Sequence, residues 1–411
     1  MTQTVDLPLP AVRATETKFV GGVCFAHFVS HYYIMLLAPL FIFVREDYGV
    51  SYTELGLALT AFNVVSTVLQ TPAGFLVDRV SARLVLIAGL ILGAGAFAIA
   101  GLVNSFWMFV AMFALAGVGN TVYHPADYAL LSRHVPHARV GKVFSFHTFA
   151  GMLGNAAAPP TLLYMQSTMG WRAAFLGAAV LGLIAAFLLI FLAEPPLEPE
   201  HKAKVRAAQA ADPSSQGWRL LLSAPILLNL VFFILLAVAG GGLNNFLVVA
   251  LGALHGTTPA VANTALTGLL FLSALGVLVG GVLTGRTSRH GLVAGCGLIV
   301  TAVVVLLVGV TDPGAVMLVL LMSLSGFFSG ITMPSRDMIV REVTPPGAFG
   351  RVFGFVTTGF NIGGIVSPLI FGQLLDHGHP REIFFFIAGC ALLSIATVAI
   401  GTSRKPVNGA A

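Results

Sequence analysis

Residues 220–285 read LLLSAPILLNLVFFILLAVAGGGLNNFLVVALGALHGTTPAVANTALTGLLFLSALGVLVGGVLTG, 66 residues without one Asp, Glu, Lys or Arg. A helix crosses a bilayer with about 20 apolar residues, so this stretch suits two crossings joined by a turn. The turn is His255-Gly256-Thr257-Thr258-Pro259, where glycine and proline interrupt the apolar run. Unpaired backbone groups are not tolerated in hydrocarbon, so both segments must be helices.

Nine further stretches lack charge: 19–44, 55–77, 84–126, 143–171, 173–193, 290–311, 313–335, 352–375 and 383–403. The stretch 84–126 is again a double, broken at Asn104-Ser105. Two doubles and eight singles predict twelve spans. Composition agrees: 57% of the 411 residues are hydrophobic and 9% charged, against about a quarter charged in soluble proteins. Cys24, Cys296 and Cys390 each fall inside an apolar run, which is no disulfide framework. The polar first 18 residues, with Pro8 and Pro10, do not read as a cleaved signal peptide.

The net charge of +5 reflects orientation and not nucleic-acid binding. With the amino terminus inside, 17 of the 21 Lys and Arg fall on inner segments and three, Arg45, Arg172 and Arg381, on outer ones; Arg336 lies at the edge of span 10. That asymmetry is the positive-inside signal and places both termini in the cytoplasm.

The chain also repeats itself. A shift of 209 aligns residues 115–175 with the second half without a gap, matching Gly117/Gly326, Pro125/Pro334, Pro136/Pro345, Phe144/Phe353, Gly154/Gly363, Pro159/Pro368 and Arg172/Arg381 among others. Six spans return the chain to its starting side, so the halves are parallel repeats, with a substrate site expected near the midplane between them. The expected units are a bundle over 1–193, a charged, proline-containing linker over 194–219 and a bundle over 220–411.

Polar side chains inside a membrane usually face a partner or a wet cavity. Span 1 carries His27 and His31, four apart and so on one face. Span 2 carries Asn63, Thr67 and Gln70; span 4 carries Asn120, His124 and Asp127; span 5 carries His147 and Asn155 with Gly151 between them. In the second half, span 7 carries Asn244 and Asn245, span 10 Ser325, Ser329, Thr332 and Arg336, and span 11 Thr357 and Asn361. Spans 3, 6, 9 and 12 hold nothing stronger than Ser, Thr or Cys, which predicts an outer, lipid-facing ring of four. His27, His31, Asn120, His124, His147, Asn244, Ser329 and Asn361 are therefore the expected substrate and proton pathway.

The histidines lie only in first-half spans. Histidine titrates near neutrality, and one proton falling through 100 mV supplies about 2.3 kcal/mol. They are either coupling or substrate groups, or neutral imidazoles bonded to neighbouring helices. Spacing i, i+4 would also allow His27 and His31 to hold a metal, but no nearby Cys or Glu supports one, and neither metal nor cofactor is expected. Counting from Phe106 on a straight helix places Asp127 about 31 Å down, near the cytoplasmic surface. Its readings are a gate bonded to the 78–83 loop or span 11, a proton carrier, or an inert boundary residue. Arg336 is its mate under the 209-residue shift, and closes the inner mouth, attracts an anion or snorkels to the surface.

The loop after span 2, Gly74-Phe-Leu-Val-Asp78-Arg79-Val-Ser-Ala-Arg83, resembles the major facilitator superfamily signature Gly-x-Leu-Ala-Asp-Arg-x-Gly-Arg-Lys, with Ser81-Ala82 in place of the Gly-Arg. Trp171-Arg172-Ala-Ala-Phe175 is similar to its landmark between spans 5 and 6. The resemblance implies an all-α membrane fold of two six-helix bundles, an alternating-access mechanism, and a latch formed by Asp78, Arg79 and Arg83. The segments His27-Phe-Val-Ser-His31-Tyr and Gly117-Val-Gly-Asn-Thr-Val-Tyr123-His124-Pro125, with Gly154 and Pro159, resemble the fosmidomycin-resistance branch. That implies an inner-membrane, proton-driven exporter of small polar or drug-like molecules, a single chain sufficing.

The leading expectation is thus a proton-coupled secondary transporter of a small polar or amphipathic solute, export favoured over uptake. Proton-linked uptake of a metabolite is the alternative within transport, and a membrane-embedded sensor the alternative outside it. An enzyme is not expected, since no cluster of nucleophile and base appears. A primary pump would need a Gly-x-x-x-x-Gly-Lys-Ser/Thr loop, whereas Gly141-Lys142 is followed by Val143 and lacks the first glycine.

Overall fold

The computed structural model describes residues 10–195, 220–344 and 349–403, so the predicted linker falls almost wholly outside the described residues. Every regular element among the described residues is helical. The first half comprises α1 (Pro10–Ile34), a 3-10 turn (Ala38–Leu40), α2 (Phe41–Tyr48), α3 (Tyr52–Arg79), α4 (Ala82–Leu102), α5 (Phe106–Asn120), α6 (Tyr123–His134), α7 (His137–Met169) and α8 (Trp171–Phe191). The second comprises α9 (Ala224–Gly241), a π-helical turn (Gly242–Phe246), α10 (Leu247–His255), α11 (Pro259–Thr284), α12 (His290–Val310), α13 (Gly314–Glu342), α14 (Phe349–Asp376) and α15 (Pro380–Ser403). Spans 1, 4 and 7 are each built from more than one helix. Eleven helical segments among the described residues are long and apolar enough to cross a membrane. The twelfth, the 33-residue α7, has the length but is diluted by groups such as His147, Asn155, Pro159 and Pro160.

Polar caps start several helices. Ser51 accepts from Glu54 N–H while Glu54 returns a bond to Ser51 N–H, a capping box opening α3. Ser81, Ser105 and Thr258 cap α4, α5 and α11. Gly170 at φ 86° makes the corner between α7 and α8, a conformation open to glycine.

Matched glycines express the repeat in three dimensions. A Cβ at Gly117 would lie 2.6 Å from the Phe62 carbonyl oxygen of span 2, and one at Gly326 2.0 Å from that of Leu269 in span 8. At Gly154 it would meet the Phe28 carbonyl at 2.1 Å, and at Gly363 the Ala237 Cβ at 2.4 Å. The same crossings, span 4 on 2 and span 5 on 1, recur as 10 on 8 and 11 on 7. Such close approach is how membrane helices gain packing energy.

The halves meet along α3·α14 and α7·α11. The first seam is a polar ladder. The Asp376 carboxylate accepts from the backbone N–H groups of Tyr52 and Thr53 at 2.6 and 2.8 Å. Further along, Thr60 donates to the Ile365 carbonyl, Asn63 to that of Gly364 and Asn361 to Gln70 Oε1. Beside Asp376 an aromatic cluster from both halves, Phe41, Tyr52, Phe246 and Phe371, seals this end.

Candidate functional site

Between the halves lies a cavity of about 440 Å³. Among the described residues, spans 3 and 6 contribute nothing to its wall, and spans 9 and 12 only Leu298, Thr301 and Ala391. Of the expected pathway residues Asn120, His124, Asn244, Ser329 and Asn361 line it, while His27, His31 and His147 lie behind the wall; Arg336, expected as a gate, lines it too.

These histidines converge with His124 into one cluster. His27 stacks on His147 with ring centroids 3.7 Å apart, and its ring lies 4.6 Å from His31 and 5.1 Å from His124. At its centre sits Asp127. Asp127 Oδ2 is hydrogen-bonded to His147 Nε2 at 3.0 Å and lies 3.3 Å from His27 Nδ1. Asp127 and His147 are fully buried, and His27 nearly so. Gly151 provides the room: a Cβ there would fall 2.7 Å from His27 Nε2 and 2.8 Å from His31 Cδ2.

Span 4 is interrupted at Thr121-Val122, between α5 and α6, and Asp127 is enclosed by α1 and α7 instead of reaching the 78–83 loop. Arg83 serves a different partner. Its guanidinium donates to the carbonyls of Leu189, Ile190 and Leu192 and lies 3.4 Å from Glu194 Oε1. It thus caps the C-terminus of α8 within the first half. Arg79 is exposed at the end of α3. The side chain of Asp78 lies outside the described residues.

A buried unpaired carboxylate costs several kcal/mol, so Asp127 and His147 must share a proton or form an ion pair. Asp127 Oδ1 and the Nδ1 atoms of His27, His31 and His147 have no hydrogen-bond partner among the described residues. The cluster therefore has unspent positions for protons. His27, Asp127 and His147 also offer donor atoms within 4.8 Å of one another.

The opposite wall is different in kind. Arg336 on α13 is held between the Phe233 and Phe360 rings, its guanidinium carbon 4.9 Å from each centroid. Its Nε donates to Asp337 Oδ1 at 2.8 Å. It is the one lysine or arginine lining the cavity among the described residues, amid side-chain amides and hydroxyls. Asp337 and Arg341, four apart on α13, are not joined by an ion pair among the described residues; Asp337 turns to its neighbour Arg336 instead. Neither the aromatic sandwich nor the space at Gly151 was signalled by polarity patterns, because both are made by apolar or absent side chains.

The Major Facilitator Superfamily model matches residues 23–251 and again 231–410, once for each half. The chain belongs to that superfamily. This superfamily member is a secondary transporter, not an enzyme. It is 28% identical to a probable sulfoacetate transporter of Cupriavidus necator, over 94% of this chain and 93% of that protein. It is 25% identical to a probable L-galactonate transporter of Escherichia coli, covering 98% and 95% of the two chains, and 22% identical to the fosmidomycin resistance protein of that species, covering 97% of each. The crystal structure of a bacterial homologue of the human lysosomal transporter Spinster, inward-facing and occupied, superposes with a TM-score of 0.77 at 14% identity, over 97% of this chain and 98% of that one. The fold is thus that of a two-bundle, multi-pass membrane carrier.

Proposed function

We propose that this protein is a proton-coupled symporter that takes up a small organic anion across the inner membrane by alternating access. The observation that carries the reading is a division of charge across one cavity. Arg336, paired through Nε with Asp337, presents an aromatic-sandwiched guanidinium on the second half, and Asp127 with four histidines forms a buried protonatable cluster on the first. Guanidinium is suited to binding carboxylate or sulfonate through paired N–H donors. Relatives named for sulfoacetate, galactonates and hexuronate, all organic anions, are in keeping with it.

Coupling supports uptake over the export expected from sequence. An anion entering a cell opposes the inside-negative potential by about 2.3 kcal/mol per charge at 100 mV, and a proton entering with it cancels that cost. An anion leaving needs no such help. In this mechanism His124, at the cavity wall, passes protons to His27, His31, His147 and Asp127. Binding of the anion at Arg336 and of the proton in the cluster permits the halves to rock, opening the Asp376 seam. The same cavity serves the export reading, which the similarity to the fosmidomycin resistance protein favours. Both termini are cytoplasmic on the charge asymmetry, and a single chain encloses the whole pathway.

Proteoliposomes with an inward proton gradient, offered labelled sulfoacetate, D-galactonate and D-glucuronate, test the proposal. Accumulation of at least one anion, abolished by a protonophore, is expected. Accumulation unaffected by the protonophore, or absent for every organic anion, sinks it. Impermeant thiol labelling of cysteines at 172 and 381, but not 204, from outside is expected; the reverse pattern overturns the orientation.

A further inference from the structure

The structure assigns a second contact to the transported anion. We infer that Asn244 and Asn245, on the π-helical turn of span 7, form a hydroxyl-reading subsite, so that the substrate is a polyhydroxylated carboxylate. This rests on the organic-anion reading above and narrows it.

The turn Gly242–Phe246 is the one π-helical segment among the described residues, and such wide turns recur where a helix aims groups at a ligand. In a regular α-helix successive side chains diverge by about 100°, yet here both asparagines line the cavity. The glycine run before them makes the turn possible. A Cβ at Gly241 would fall 2.2 Å from Ser367 Oγ, and one at Gly242 2.7 Å from Ile387 Cδ1, so side chains there would lift the turn off α14 and α15. Gly240, which lines the cavity, has nothing within 4 Å of its would-be Cβ.

The two amides are also unspent, whereas of the other lining amides only Asn155 has a buried oxygen without a partner among the described residues, and that oxygen is not open to the cavity as this pair is. Asn63 donates to the carbonyls of Leu59 and Gly364, Asn120 to Ser66, and Asn361 to Gln70. No hydrogen bond engages the side chain of Asn244 or Asn245 among the described residues, although both face the same polar space as Arg336. An amide offers donor and acceptor together, which matches a hydroxyl; a carboxylate only accepts and would leave the amide oxygens idle. Two adjacent amides therefore suit neighbouring hydroxyls on a chain whose acid group is held at Arg336.

Binding to the purified full-length protein in nanodiscs tests this with three probes of similar length: D-galactonate has charge and hydroxyls, hexanoate charge alone, galactitol hydroxyls alone. D-galactonate is expected to bind roughly 30-fold or more tightly than either of the others, the loss typical of unmatched polar groups in a site. Asn244→Leu and Asn245→Leu should bring D-galactonate to the hexanoate level and leave hexanoate unchanged, which also shows that the variants are folded. Asn244→Ser should retain part of the preference. Hexanoate or sulfoacetate binding as tightly as D-galactonate, or variants with undiminished D-galactonate affinity, would overturn the inference. Undiminished D-galactonate binding in Arg336→Gln, or no binding of any anion, would instead overturn the reading beneath it.

Discussion

The two halves share a scaffold and divide the chemistry. Under the 209-residue shift Gly117 matches Gly326 and Gly154 matches Gly363, and each pair seats the same kind of helix crossing. The inward positions diverge. Asp127 faces Arg336 in the alignment, His124 faces Met333, His147 faces Val356, and Gly151 faces Phe360. One half has a carboxylate buried among imidazoles that fit because residue 151 has no side chain. The other has a guanidinium at the cavity wall, held by the aromatic ring that stands at the matching position. Packing positions tolerate little change because helix spacing depends on them, whereas a cavity wall accepts any side chain that neither clashes nor strands a charge.

The strongest way to break this division is at its acid. Asp127→Asn removes the charge that holds His147 and His27. Proton-driven accumulation is expected to fall by roughly 100-fold, the scale of about 3 kcal/mol for a lost charge-assisted bond. Solute exchange without a gradient should continue, since it needs no net proton transfer. Equal loss of both activities would show that Asp127 is a gate and not a coupling group.

Arg336→Lys tests the other half. Lysine keeps the charge but loses the planar fork between Phe233 and Phe360. KM for the anion should rise roughly 10- to 30-fold, for about 1.5–2 kcal/mol, with the gradient dependence unchanged. A changed gradient dependence would mean that the halves do not divide the work as argued.

Gly151→Ala sharpens the comparison by crowding the first half alone. Its Cβ must displace the His27 and His31 rings, at a cost of about 1–3 kcal/mol for overpacking. Coupled accumulation should decline several-fold more than exchange, and Phe360→Leu in the second half should raise KM instead. The reverse assignment of effects would break the division.

The smallest effect is expected outside both sites. Asp376→Ala removes the acceptor of the Tyr52 and Thr53 N–H groups, leaves the Ser51 cap of α3 in place and frees one rung of the seam, about 1 kcal/mol on the scale of helix caps. External labelling of a cysteine at 245, in a background lacking Cys24, Cys296 and Cys390, should rise roughly five-fold. Unchanged labelling would show that the aromatic cluster of Phe41, Tyr52, Phe246 and Phe371 closes that end without Asp376.

Sequence by itself determined the class of this protein, the near-total helicity, the repeat and a few of the polar residues that line the cavity, Asn120, His124, Asn244, Ser329 and Asn361. Those properties follow from local rules: charge-free runs long enough for a bilayer, glycines at matched positions, and polar groups that hydrocarbon excludes. Tertiary structure alone decided how those residues pair. Counting along span 4 said nothing of the partners of Asp127, which meets His147 and His27 where Gly151 leaves room for their rings. Arg83 found the carbonyl end of α8, Asp376 found the N–H end of α3 across more than 300 residues of chain, and the π-helical turn brought both Asn244 and Asn245 to the cavity. Each of these depends on where a helix bends or ends and on what lies opposite, and a one-dimensional pattern does not carry that information.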